Sequence, residues 1–193
     1  VQEYLLDFID VPDLMRRVLA TTQKVNARYL EAFNNSRCQA LVCNLSGASS
    51  DIVSPGFFRE WVLPELKMLT SMASEDKFVG FHLTGKLHDI MPIMLEAEPD
   101  FILRFESPRF GGDCSLQKAK EQWGDKVCLM GGYDPHIFTL GTRDDMLDEA
   151  RRCIDEAADG GGFILANTDA IPEGAELEDV KAMVDFAKAY GRI

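Results

Sequence analysis

The 193-residue sequence holds no apolar stretch approaching ~20 residues, and it does not open on a basic cluster followed by an apolar one. No membrane span and no secretory signal is read from it, so a cytoplasmic protein without a membrane partner is expected. Basic charge is also scarce. Twenty Lys and Arg against 32 Asp and Glu leave a net charge of −12, and a surface of that sign repels nucleic acid and anionic lipid. Small molecules and other proteins remain as partners. No linker rich in Pro, Gly or Ser divides the chain, so residues 1–193 read as one domain. There is no Gly-x-Gly-x-x-Gly after the first apolar run and no P-loop, which removes the usual support for a nucleotide site. The five cysteines are an odd number, Cys128 lies inside an apolar run, and Cys38 to Cys43 matches no zinc ribbon or redox spacing. Reduced thiols fit better than a disulfide framework.

What is present is a repeat of order. Five short apolar runs, at 40–43, 78–81, 101–105, 127–130 and 163–166, each end in a polar loop and lead into an amphipathic helix. Runs this short and this rich in Val, Ile, Leu and Phe are strands with both faces covered, the mark of a parallel sheet wrapped by helices. Chemistry is then expected on the loops after the strands, at 44–51, 82–88, 106–113, 131–136 and 167–173. A helix over 11–34 opens with Pro12. The next begins at Ser54-Pro55 with a kink at Pro64, a shorter one covers 87–97, and another is opened by Ser115 and closed near Gly124. Thr142 with Asp145 forms a capping box for a helix to about Ala158, and the last helix spans 177–190.

Five βα units cannot close an eight-stranded barrel, and a helix leads the chain instead of a strand. The chain therefore reads as a partial α/β barrel, expected to be completed or covered by another chain or by an N-terminal segment. Exposed sheet edges also argue for pairing, in a homo-oligomer or with a full-length relative.

The wording of the loops is similar to that of the uroporphyrinogen decarboxylase family, whose TIM-type barrels include corrinoid and coenzyme M methyltransferases. The segments that carry the resemblance are Ser54-Pro55-Gly56-Phe57-Phe58 with Leu63-Pro64, and Phe81-His82-Leu83-Thr84-Gly85. They continue with Gly124-Asp125-Lys126-Val127, Gly131-Gly132-Tyr133-Asp134-Pro135 with Gly141-Thr142, and Gly161-Gly162-Phe163-Ile164-Leu165. The match covers this whole chain but only the C-terminal half of a family member. The decarboxylase branch implies a tetrapyrrole substrate and a Gly-His-Gly loop after the final strand, where this chain has Asn167-Thr168-Asp169. The methyltransferase branch implies a zinc site of His-x-Cys, a further Cys and a nearby acid. Here His82 and Glu106 stand at the family's places, Thr84 replaces one cysteine, and Thr168 or a neighbour replaces the other.

The residues themselves make His82, Glu106 and Asp169 the candidate catalytic set, each at the end of a separate strand. Together they form a one-histidine, two-carboxylate group suited to a divalent metal, zinc or a harder ion. A salt bridge from Glu106 to Arg104 or Arg109 is the plainer reading of that carboxylate. Ser46, Ser49, Asp51, Thr84, Tyr133, Asp134 and Thr168 are the candidate substrate-binding residues, with the small polar loop 46–51 lining the pocket. His88 and His136 read as structural. The resemblance implies a methyltransferase acting on a small acceptor with a corrinoid carried by a partner protein. Decarboxylation of a tetrapyrrole and a non-catalytic remnant serving as an assembly partner remain open beside it.

Overall fold

The computed structural model describes residues 2–108 and 111–191. Arg109 lies outside them. Five parallel strands pair in chain order: β1 (Ala40–Asn44), β2 (Phe78–His82), β3 (Phe101–Arg104), β4 (Cys128–Tyr133) and β5 (Phe163–Asn167). This is the expected α/β architecture, a section of a barrel wall that does not close. Each strand starts within a residue of its apolar run, and β4 runs on through Gly131, Gly132 and Tyr133.

The helices supply one covered face. Val79, Phe81, Ile102 and Leu129 alternate onto that face and are buried with Leu66, Met91, Met94, Ala119, Ala150 and Cys153 in one continuous core. The other face departs from expectation. Phe78, Val42 and Ile164 are 53%, 47% and 47% exposed, and a hollow of about 460 Å³ lies over the beginnings of the strands, lined by Ala40, Phe78, Phe101, Cys128, Met130 and Ile164. The runs are apolar on both sides, as in a closed barrel, but only one side is packed in this chain.

Helix α1 (Gln2–Asp10) was not marked by any cap or proline in the sequence; Phe8 anchors it, its ring edge-on to Phe57 and Trp61. Helix α2 (Pro12–Asn34) follows as expected. Ser54 caps α3 (Pro55–Phe57) by accepting from the Phe57 N–H. A π-turn over Phe58–Val62 joins it to α4 (Leu63–Met72). Pro64 therefore sits in a first turn, and the irregularity it imposes appears as the wide turn before it.

Helix α5 (Met91–Met94), continued by a 3₁₀ turn over Leu95–Ala97, starts four residues later than its apolar pattern. Residues 88–90 form a turn that leads into it: the Met91 N–H already bonds to the Leu87 carbonyl at 2.8 Å, and Asp113 caps this start by accepting from the N–H groups of Leu87 and His88. Helix α6 (Leu116–Trp123) is capped by Ser115, and α7 (Ile137–Leu140) follows Asp134-Pro135. The capping box of Thr142 and Asp145 opens α8 (Arg143–Ala157), and α9 (Leu177–Tyr190) closes the described chain.

Candidate functional site at the strand ends

The C-terminal ends of β2 and β3 and the loop after β5 converge on one side chain, Arg104. Strict alternation from Ile102 would send Arg104 into the helix layer and Phe105 out to the open face. Positive φ at both, 104° and 55°, reverses the order. Phe105 is fully buried in the core, and the Arg104 guanidinium reaches the mouth of the sheet. Two consecutive non-glycine residues in left-handed conformations carry strain, which such sites concentrate.

Arg104 Nη2 donates to Glu106 Oε1 at 2.7 Å and to Asp169 Oδ2 at 3.0 Å. Its Nη1 lies 3.2 Å from His82 Nε2 and donates to Thr84 Oγ1, also at 3.2 Å. A guanidinium only donates, so Nε2 of His82 is the acceptor and its proton sits on Nδ1. Burial first, then the Arg104 charge, hold the His82 pKa below its ordinary value against the pull of Asp169 and Glu106. The imidazole is neutral at pH 7. The chain of bonds continues outward: Thr84 Oγ1 donates to Ser46 Oγ at 3.1 Å, and Ser46 Oγ to Asn44 Oδ1 at 2.6 Å.

The acids fall into two kinds. Glu106 accepts from the Gly85 N–H as well as from Arg104 and ties the loop after β2 to the end of β3. Asp51 accepts from the Lys86 N–H at 2.8 Å, and that bond holds its carboxyl below the usual range. Asp113 accepts from the N–H groups of Leu87 and His88. Gly85 turns between them with φ of 83°, where a Cβ would fall 2.5 Å from an Asp51 oxygen. Asp169 differs. The Ala170 N–H, and after it Arg104, hold its carboxyl low, but its side chain is 62% exposed against 13% for Glu106 and 10% for Arg104.

The structure thus gathers His82, Thr84, Glu106, Asp169 and Ser46 from among the expected site residues. The remaining candidates make other contacts. Tyr133 is fully buried, its hydroxyl donating to the Met146 carbonyl at 3.2 Å and its ring against Phe138, which makes it a core residue. Ser49 is buried, its hydroxyl beside Gly85. Asp134 accepts from the His136 N–H and pairs with that ring at 3.1 Å. Thr168 donates its N–H to the Tyr133 carbonyl. Arg104, named in the sequence only as a partner for Glu106, is the residue that sequence reasoning missed, because the backbone reversal that aims it leaves no pattern in an apolar run.

The residues present fit a metal ion poorly. Among the described residues no three His, Cys, Asp or Glu side chains are arranged to hold one. His82, Glu106 and Asp169 do converge, but a guanidinium fills the space between them and uses their lone pairs. The buried thiols bring no thiolate: burial pushes Cys43 and Cys114 up to about 11 and Cys153 up to about 12.

An open parallel sheet wrapped by helices, with polar residues gathered beyond the ends of its strands, has the arrangement of part of a barrel wall. A family model described as uroporphyrinogen decarboxylase (URO-D) matches residues 1–190, and the chain belongs to that family. Uroporphyrinogen decarboxylase of Neisseria meningitidis serogroup C is 22% identical over 188 residues, covering 94% of this chain and 50% of that protein. The methylcobamide:CoM methyltransferase MtaA of Methanosarcina barkeri is 25% identical over 191 residues, covering 98% of this chain and 53% of that protein. A solved methyltransferase from Methanosarcina mazei superposes with a TM-score of 0.83 at 22% identity, covering 98% of this chain and 53% of its own. The chain spans about half the length of the relatives it matches. Among its described residues no helix is long and apolar enough to cross a membrane.

Proposed function

We propose that the mouth built around Arg104 binds and orients a small acceptor for methyl transfer from a corrinoid carried by a partner protein. The observation that carries this reading is the convergence of His82, Thr84, Glu106 and Asp169 on one fixed guanidinium at the strand ends. In that role Arg104 binds and orients the acceptor through charge-assisted hydrogen bonds; Glu106 and Asp169 already balance its charge. The corrinoid supplies an electrophilic methyl group when it is present. Glu106 fixes the guanidinium through a nearly buried pair, neutral His82 orients it from the other side, and Ser46 with Thr84 relays that order to the end of β1.

The similarity to MtaA over nearly the whole chain supports the methyltransferase branch, and the absence of a histidine from Asn167-Thr168-Asp169 weighs against a tetrapyrrole decarboxylase. The test is methyl loss from free methylcobalamin in the presence of the chain and a panel of small thiols and hydroxy acids. Turnover with at least one acceptor, abolished by Arg104→Lys, is the expected result. No methyl loss with any of them would overturn the reading.

A further inference from the structure

Asp169 binds Arg104 in a way that leaves the guanidinium partly unused. Nη2 and Nε share one edge of the group, and that edge can hold both oxygens of a carboxylate through two parallel N–H···O bonds. Asp169 supplies a single oxygen to Nη2, which also donates to Glu106. Oδ2 lies 3.0 Å from Nη2, while Oδ1 is engaged by the Ala170 N–H at 2.8 Å. The Arg104 Nε is buried and has no acceptor among the described residues. An orphaned buried donor on a fixed cation is costly, and it points to a partner that the described residues do not provide. Each carboxylate also accepts from one backbone N–H, but Asp169 is 62% exposed on the loop after β5 against 13% for Glu106, so Asp169 is the arm that can turn out to solvent at least cost.

We propose that Asp169 is a placeholder, and that the site takes the carboxylate of a small ligand, which displaces Asp169 and engages Nη2 and Nε of Arg104 together. One carboxylate replaces another, so the buried cluster keeps its charge and no new unpaired ion is created. A tethered oxygen gives way to two free ones, and the orphaned Nε–H gains its acceptor. Arg104 Nη1 keeps His82 and Thr84, so the guanidinium does not have to move. The inference deepens the proposed function and rests on it only in taking the bound molecule to be the acceptor.

The test is a titration of the ¹⁵N-labelled chain with acetate, propionate and succinate at constant ionic strength, following the Arg104 Nε–H resonance, with chloride as the control. A saturable shift with the carboxylates and none with chloride is expected. Asp169→Asn, an exposed change that removes the competing charge, is expected to tighten binding about fivefold, the equivalent of roughly 1 kcal/mol. Arg104→Lys is expected to abolish it. No shift with any carboxylate, equal affinity in Asp169→Asn and the parent, or a chloride shift as large as that of acetate would each overturn the proposal. Saturable carboxylate binding without any methyl loss from methylcobalamin would sustain the placeholder and overturn the methyl-transfer reading instead.

Discussion

Arg104 and Gly131 face each other in register across β3 and β4, and a Cβ on Gly131 would fall 2.2 Å from the Arg104 carbonyl oxygen. Both residues have positive φ, 104° and 137°. The reversal that aims the guanidinium at the mouth is possible because the neighbouring strand carries no side chain there. Gly131→Ala should therefore destabilise the chain by about 3 kcal/mol, combining a backbone clash with a disfavoured dihedral. Urea denaturation at pH 7 measures it, and a loss under about 1 kcal/mol would show that the strands part easily.

The two carboxylates on Arg104 should not be equivalent. Glu106→Ala leaves a nearly buried guanidinium short of its main counter-charge and removes the acceptor for the Gly85 N–H, at a cost of about 3 kcal/mol. Asp169→Ala removes a largely exposed partner and should cost below about 1 kcal/mol. Denaturant midpoints of the two variants decide it, and equal losses would contradict the placeholder role of Asp169.

Stability should fall as pH drops below the ordinary histidine range. The His82 pKa is lowered in the folded chain, so the unfolded chain binds a proton first. Between about 6.5 and the lower folded value, stability therefore rises with pH, and it is lost as pH falls through that window. Protonation would also set a cation against Arg104 Nη1. Melting temperatures between pH 7.5 and 5 should slope more steeply in the parent than in His82→Asn, and identical slopes would contradict the assignment.

Tyr133→Phe should leave carboxylate affinity unchanged while lowering stability by about 1 kcal/mol, since the hydroxyl's bond to the Met146 carbonyl is what it removes. A large change in affinity would return Tyr133 to the site.

Most of the fold was legible in the sequence because its signals are local. The apolar runs, Ser54, Ser115, the Thr142 and Asp145 box and the Pro12 start all appear where the pattern put them. Where the reading missed, distant groups had intervened. Residues 87–90 have a helical pattern and form the turn before α5, with Asp113 of a distant loop capping their first backbone donors. Tyr133 stands in a loop motif, yet β4 runs long enough to bury it. For the site, His82, Glu106 and Asp169 were each legible as polar residues at strand ends. What lies between them was not, because Arg104 enters the cluster only through dihedrals that an adjacent strand permits.

The central claim is that a guanidinium, and not a metal ion, occupies the middle of the His82, Glu106 and Asp169 group. The most direct measurement is the metal content of the purified chain, by elemental analysis after equilibration with zinc and removal of free ion, alongside His82→Ala. The account predicts well under one zinc per chain in both. About one zinc per chain in the parent, lost in His82→Ala, would contradict it.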